Sequence, residues 1–233
     1  MGRFNRQIIL PEIGLIHQNT IQQSTVSIIG IGGLGCPVAA YLAAAGIGTL
    51  RLIDFDTVQL DNLNRQILFG YSDIGKLKST SAAEKLQAQY SDIQLIDIPN
   101  TLDEHNASTL LSNSDLIVDC SDNFACRYIS TKTAEILGIP LISGSLFRSE
   151  GQILGFNRQE AGYKSYETLF PKSVTDFNTN NCETAGILGA MAGIVGAMMA
   201  VEAIKQLLDN PDKLTNEILI YRQNGPQIFR IKI

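Results

Sequence analysis

The chain has 233 residues, 45% of them hydrophobic, which is enough to bury a sizeable core without disulfides. Its formal net charge of -5 and the lack of a long Lys/Arg run argue against nucleic acid or an anionic membrane as the main partner. Four scattered cysteines, Cys36, Cys120, Cys126 and Cys182, form no C-x-x-C pair, which excludes a dithiol redox motif and a four-thiolate zinc site within one chain and fits a reduced cytoplasm.

The first residues, MGRFNRQIIL, lack the apolar core and small-residue cleavage site of a secretory signal. Arg6 stands where a myristoylation signal carries Ser or Thr. Apolar runs at 26–29, 49–53, 93–98, 116–118 and 140–143 then alternate with helical patterns at 37–45, 77–89, 102–111 and 124–137. Near-continuous apolar strands alternating with helices predict an α/β fold, a mostly parallel sheet covered by helices on both faces.

Between the first strand and the first long helix runs SIIGIGGLGCPVAA, in which Gly30, Gly32 and Gly35 match G-x-G-x-x-G in the context that a nucleotide loop requires. Glycines let the backbone turn tightly and approach a phosphate, and the helix that follows offers unpaired N–H groups. Asp54 ends the next strand, 19 residues after Gly35, where an acidic side chain bonds a ribose hydroxyl. These features alone indicate an adenine nucleotide, and an NAD-dependent oxidoreductase fits them as well as an ATP enzyme. There is no G-x-x-x-x-G-K-[ST], so a Walker-type ATPase is disfavoured.

Arg65 and Lys78, with Lys76 nearby, follow the strand that bears Asp54. In a Rossmann-like sheet ligands sit beyond the carboxyl ends of the strands, so these cations are placed to reach nucleotide phosphates. A triphosphate about to expel pyrophosphate needs such clamps more than a dinucleotide does. The run LIVDCSDNFACR puts Asp119, Asp122 and Asn123 at another strand end. Asp122 suits a hydrated Mg²⁺ that bridges phosphate oxygens, and it suits a helix N-cap equally well.

After residue 150 the pattern changes. Residues 152–156 read as a strand, and 157–181 are polar and aperiodic, as in a functional loop. Residues 185–201, 17 without a charge, are short for a membrane span and continue as the helical EAIKQLL, which predicts a buried helix. Gly189, Gly193 and Gly196 would let that helix pack closely inside a core or against another subunit. Asn224-Gly225 between two alternating segments predicts a closing antiparallel hairpin.

Taken together, RFNRQIIL, GIGGLG, LIDFDTVQLDNLNRQ, IGKLK, DCSDN and ETAGILG resemble the ThiF/MoeB/HesA family, prokaryotic relatives of ubiquitin-activating enzymes, over essentially the whole chain. The resemblance implies a single adenylation domain over 1–233, with a nucleotide-binding half at about 1–150 and a carrier-binding loop and C-terminal part at about 151–233. It implies ATP-dependent adenylation of the C-terminal Gly-Gly carboxylate of a ubiquitin-like sulfur carrier, in the thiamine or molybdopterin sulfur pathway. Position by position, it puts Asp54 on the ribose, Asn62, Arg65 and Lys78 on the phosphates, and Asp122 on Mg²⁺. Gly33, Asp56 and Asn123 count with the same nucleotide site. Members are homodimers in which an N-terminal arginine crosses to the partner's site, and the matching residue is Arg6.

A carboxylate substrate is already ionised at neutral pH, so its attack on the α-phosphate needs no general base. His17 and His105, neither in a triad context, read as surface residues. Many relatives bind structural zinc through two C-x-x-C pairs; here Gly162 and Ser165 stand at the first, so no zinc is expected and 157–181 should be loosely held. In ThiF-like members a cysteine at the position of Cys182 links covalently to the activated carrier; a small buried thiol is the other reading. Cys36, Cys120 and Cys126 read as structural. Adenylation of a peptide or modified-tRNA carboxylate, and a noncatalytic binding module, are the competing functions.

Overall fold

The computed structural model describes residues 2–171, 186–225 and 227–233. In chain order the elements are α1 (Asn5–Ile8), α2 (Gly14–Gln23), β1 (Thr25–Ile29), α3 (Gly35–Ala45), β2 (Thr49–Ile53), α4 (Lys78–Gln89), β3 (Gln94–Ile98), α5 (Ala107–Leu111) and β4 (Leu116–Asp119). There follow α6 (Phe124–Leu137), β5 (Leu141–Phe147), β6 (Glu150–Phe156), α7 (Tyr166–Leu169), α8 (Gly189–Leu207), β7 (Glu217–Arg222) and β8 (Gln227–Lys232).

The strands form one sheet in the order β3-β2-β1-β4-β5-β6-β7-β8. β1 to β5 are parallel, and β6, β7 and β8 are added antiparallel. Strand alternation feeds two apolar layers: Val26 and Ile28 of β1 pack with Leu42, Leu86 and Val195 on one face, while Ile29 joins Leu111, Ala134 and Tyr166 on the other. The order reverses at β1, which pairs with β2 on one side and β4 on the other, so a crevice opens at the carboxyl ends of these strands.

One predicted helix is shorter than its apolar pattern. Residues 102–106 stay out of α5 because Asp103 Oδ1 accepts from the amides of His105 and Asn106 while Asn106 Oδ1 accepts from the Asp103 amide. These local side-chain bonds offer the backbone an alternative to the helix. The polar connection also holds more order than its sequence suggests. In residues 157–171, Tyr166 is buried edge-on against Tyr128 and beside Phe170, and Gln159 Nε2 donates to Gly138 O at 3.1 Å. Residues 172–181 of that stretch, and Cys182, lie outside the described residues.

The apolar helix α8 is long and apolar enough to cross a membrane, but half of it is buried within this fold. Two of its glycines are used for close packing inside the chain, one of the two placements that the sequence allowed. A Cβ at Gly196 would lie 2.4 Å from Pro37 Cγ, and one at Gly189 would lie 2.2 Å from Asn64 O; only Gly193 meets nothing within 4 Å. α8 also buries Glu202, which accepts from the Leu214 amide at 2.9 Å and pairs with Lys205 at 2.8 Å.

The N-terminal segment is fastened to the far end of α3. Gln7 Nε2 donates to Ala45 O at 3.1 Å, Arg3 pairs with Asp92 and donates to Ala44 O at 3.3 Å, and the Phe4 ring covers Gly46. At 1.5 Å per residue, the 11-residue α3 separates this anchor from the glycine loop by about 16 Å.

Candidate active site

The glycine loop leaves β1 and enters α3 through close backbone contacts. Gly30 has φ of 83°, and a Cβ there would meet Cys120 O at 3.1 Å. A Cβ at Gly35 would stand 2.0 Å from Gly30 O, so the first turn of α3 closes on the loop only with glycine. Among the described residues the amides of Gly32 and Gly33 donate to no protein group, as a phosphate cradle requires.

Asp54, at the end of β2, is 8% exposed and holds this loop in place. Its Oδ2 accepts from the Ile31 amide at 2.6 Å and its Oδ1 from the Asp56 amide at 2.8 Å. Burial pushes its carboxyl above the ordinary aspartate range, against the opposing pull of the Ile31 amide and the Lys78 charge. Each oxygen keeps one further lone pair for a ribose hydroxyl. Asp54 is therefore a strut for the loop as well as a candidate ribose ligand.

Lys78 opens α4, 7% exposed, with its Nζ 2.8 Å from Asp56 Oδ2 and its amide donating to Asp56 O at 2.8 Å. Asp56 thus serves as the counter-ion of Lys78, a role its sequence position did not reveal. Arg65 lies across the loop: a Cβ at Gly33 would sit 3.5 Å from Arg65 Cγ and Cδ. Its Nη1 donates to Asp61 O at 2.9 Å and to Asn64 Oδ1 at 3.0 Å, leaving the remaining guanidinium donors for an anion.

Three polar residues near the site hold the surrounding backbone in place. Asn62 braces its own turn, its Oδ1 accepting from the Gln59 amide at 3.2 Å and its Nδ2 donating to Asp61 Oδ1 at 3.1 Å. Lys76 pairs with the buried Asp73 at 3.5 Å and so fixes the loop before α4. Asp119 is fully buried, accepting from the Ser121 amide at 2.9 Å and from Ser130 Oγ at 2.6 Å, so it braces the turn between β4 and α6.

Asp122 is exposed beyond β4, and the helix N-cap is its neighbour: Asn123 Oδ1 accepts from the Cys126 amide at 2.9 Å. The only hydrogen bond of Asp122 among the described residues is from Asn123 Nδ2 at 3.3 Å. The carboxylate thus keeps acceptor capacity that a hydrated cation could use, with Asn123 donating to one of its oxygens. No group of three or more metal-ligating side chains gathers among the described residues. Gly162 takes φ of 79° and Ser165 N-caps α7, accepting from the Thr168 amide at 3.2 Å.

Arg6 is exposed in α1, at the opposite end of α3 from its own glycine loop and beyond an arginine's reach of it. Of the thiols, burial pushes Cys36 and Cys126 up to about 12 and raises Cys120 well above its ordinary range, which keeps all three protonated and unreactive. His17 is half-buried, its Nδ1 2.8 Å from Glu12 O, and His105 is exposed. One group was given no role by the sequence reading: Gln66, 3% exposed beside Gly32, the last residue of the LIDFDTVQLDNLNRQ run.

A family model described as ThiF matches residues 4–233. The adenylyltransferase and sulfurtransferase MOCS3 of Culex quinquefasciatus is 39% identical over 233 residues, covering 100% of this chain and 53% of the relative. The MOCS3 of Dictyostelium discoideum is 40% identical over 220 residues, covering 94% of this chain and 51% of the relative. The chain spans about half the length of these curated relatives. Among solved structures, Escherichia coli MccB with ATP aligns at a TM-score of 0.83 and 22% identity, over 100% of this chain and 71% of that one. PaaA aligns at 0.82 and 24% identity, over 99% of this chain and 72% of that one, and both likenesses are of fold. With its family model matched from residue 4 to residue 233, this chain belongs to the ThiF family.

Proposed function

We propose that the chain is an ATP-dependent adenylyltransferase that activates the C-terminal Gly-Gly carboxylate of a ubiquitin-like sulfur carrier, in a cytoplasmic sulfur pathway to molybdopterin or thiamine. The observation that carries this reading is the convergence, at the carboxyl ends of β1, β2 and β4, of four features: the free glycine-loop amides, Arg65 across Gly33, the buried Lys78 ammonium and the free Asp122 carboxylate. Family membership and the relatives named adenylyltransferase and sulfurtransferase favour this chemistry over hydride transfer.

In the proposed reaction the carrier's terminal carboxylate oxygen attacks the α-phosphorus of ATP. The bond from that phosphorus to the bridging oxygen breaks, and pyrophosphate leaves with the electron pair. The nucleophile arrives ionised, so the protein aligns the reactants and offsets charge rather than moving a proton. The loop amides and Arg65 receive the phosphates, and Lys78 exchanges Asp56 for the polyphosphate. Mg²⁺ held by Asp122 would neutralise charge on the β- and γ-oxygens.

Arg6 enters this scheme from a second copy. Its anchor lies about 16 Å from its own glycine loop, judged from the length of α3, and exposed Ile9, just after α1, and Leu15 and Ile16 of α2 lie near it in the chain. Exposed Leu60, Ile67 and Tyr71 stand on the loop beside the nucleotide site, so apolar surface is present at both ends that a reciprocal pairing would join. The reading includes no structural zinc, for which elemental analysis is the check.

The deciding experiment is ATP–pyrophosphate exchange with Mg²⁺, adding ubiquitin-like proteins with and without the terminal Gly-Gly. Exchange that depends on the intact tail supports the proposal. ATP binding without exchange for any carrier overturns the substrate assignment, and absence of nucleotide binding overturns the site.

A further inference from the structure

Gln66 sits directly after Arg65, in the segment that runs beneath the glycine loop. It is 3% exposed, its Oε1 has no hydrogen-bond partner, and its Nε2 makes no bond to any described residue. A buried amide oxygen left unpaired is costly, because it gives up its water without replacement. A Cβ at Gly32 would lie 3.7 Å from Gln66 Nε2, so the space that a side chain would fill at Gly32 opens onto this amide. The next glycine, Gly33, faces the stem of Arg65 in the same way. Two successive glycines are thus flanked by two successive donors, one charged and one neutral.

From this arrangement we propose that Gln66 is a nucleotide-binding residue of this site. Its Nε2 donates to a phosphate oxygen held over Gly32, and its Oε1 accepts an O–H that arrives with the ligand. A phosphate oxygen ionised at neutral pH only accepts, so it suits Nε2 and cannot satisfy Oε1. The O–H comes from the ribose or from the water shell of the metal–nucleotide complex. Oε1 is shut off from water while Nε2 is not, so the carboxamide presents its N–H side to the space over Gly32. This inference rests on the ATP reading above and extends it to a residue that the motif spacing leaves unassigned.

The test combines calorimetric titration of Mg-ATP with thermal unfolding for wild type, Gln66→Met and Gln66→Glu. Methionine keeps the volume and removes both polar atoms. Gln66→Met is expected to bind Mg-ATP about 10- to 100-fold more weakly, while its melting temperature without nucleotide equals or exceeds that of wild type. Gln66→Glu, which faces phosphate with a like charge, should bind more weakly still. A purely structural glutamine gives the opposite pattern, a lower melting temperature with unchanged affinity, and that result overturns the proposal. Wild type that binds no nucleotide overturns the site reading and this inference with it. Repeating the titrations with 2′,3′-dideoxy-ATP, and with ATP in EDTA, identifies the O–H source, since the penalty of Gln66→Met shrinks when that source is removed.

Discussion

The Lys78–Asp56 pair predicts an asymmetry that its charges alone would not. The Lys78 side chain is 9% exposed and that of Asp56 is 50% exposed, with Nζ and Oδ2 2.8 Å apart. Asp56→Asn leaves a buried ammonium without its counter-charge. Breaking a fully buried pair costs about 3–5 kcal/mol; because water reaches half of this carboxylate, we expect about 2–3 kcal/mol here. Lys78→Met leaves an Asp56 carboxylate that rehydrates in place and withdraws a favourable charge from Asp54, which keeps its two amide donors, so its cost is about 1 kcal/mol. For a chain of this size the first loss lowers the melting temperature by about 5–10 °C and the second by little. Nucleotide affinity should respond in the other order, with Lys78→Met losing about 100-fold or more in ATP–pyrophosphate exchange because it removes the phosphate clamp. Urea unfolding of both variants, read alongside exchange activity, checks the pair. Equal stability losses, or a larger loss in Lys78→Met, would refute the burial argument.

Three further outcomes follow from the same structure. Asp73 is buried, which would raise its carboxyl, but hydrogen bonds from Lys85 and the Gly70 amide together with the nearby lysine charges bring it below the ordinary aspartate range. A depressed folded value contributes stability that is present above the unfolded value and lost as pH falls through the folded one. The gap in melting temperature between wild type and Asp73→Asn should therefore be open at pH 7 and narrow below about pH 4, and a constant gap would contradict it. Gly35→Ala puts a Cβ 2.0 Å from Gly30 O, so it should abolish Mg-ATP binding in titration and lower stability by about 2 kcal/mol or more; normal binding would show that the loop is not rigid there. Arg6→Ala should lose exchange activity and regain it when mixed and re-equilibrated with Lys78→Met, since one site of the mixed pair holds both residues. Failure of any such mixture to recover, with both variants folded, would remove Arg6 from the partner's site.

How the sequence and the structure divide the information depends on whether a feature is local. Apolar runs and helical periods located the five parallel strands, and Asn224-Gly225 located the hairpin between β7 and β8, because period and turn chemistry are set by neighbouring residues. α5 was overextended because the reciprocal bonds of Asp103 and Asn106 are not an apolar signal. Motif spacing likewise gathered Gly30, Gly35, Asp54, Lys78 and Asp122, since each stands near a strand end or helix start and the parallel topology brings those ends together, while Arg65 comes from the connection between β2 and α4. What the sequence by itself determined, then, was the fold class and the roster of chemical groups.

Only the tertiary structure decided how each group is employed. It assigned Asp56 to Lys78, saturated Asp119 with Ser121 and Ser130, spent Gly196 on Pro37 and left Gln66 unpaired beside Gly32. It also held Arg6 at the far end of α3 from its own loop. The physical reason is that hydrogen-bond saturation, burial and close packing are properties of pairs distant in the chain. An aspartate has the same letter whether its oxygens are filled by backbone amides or free to take a cation.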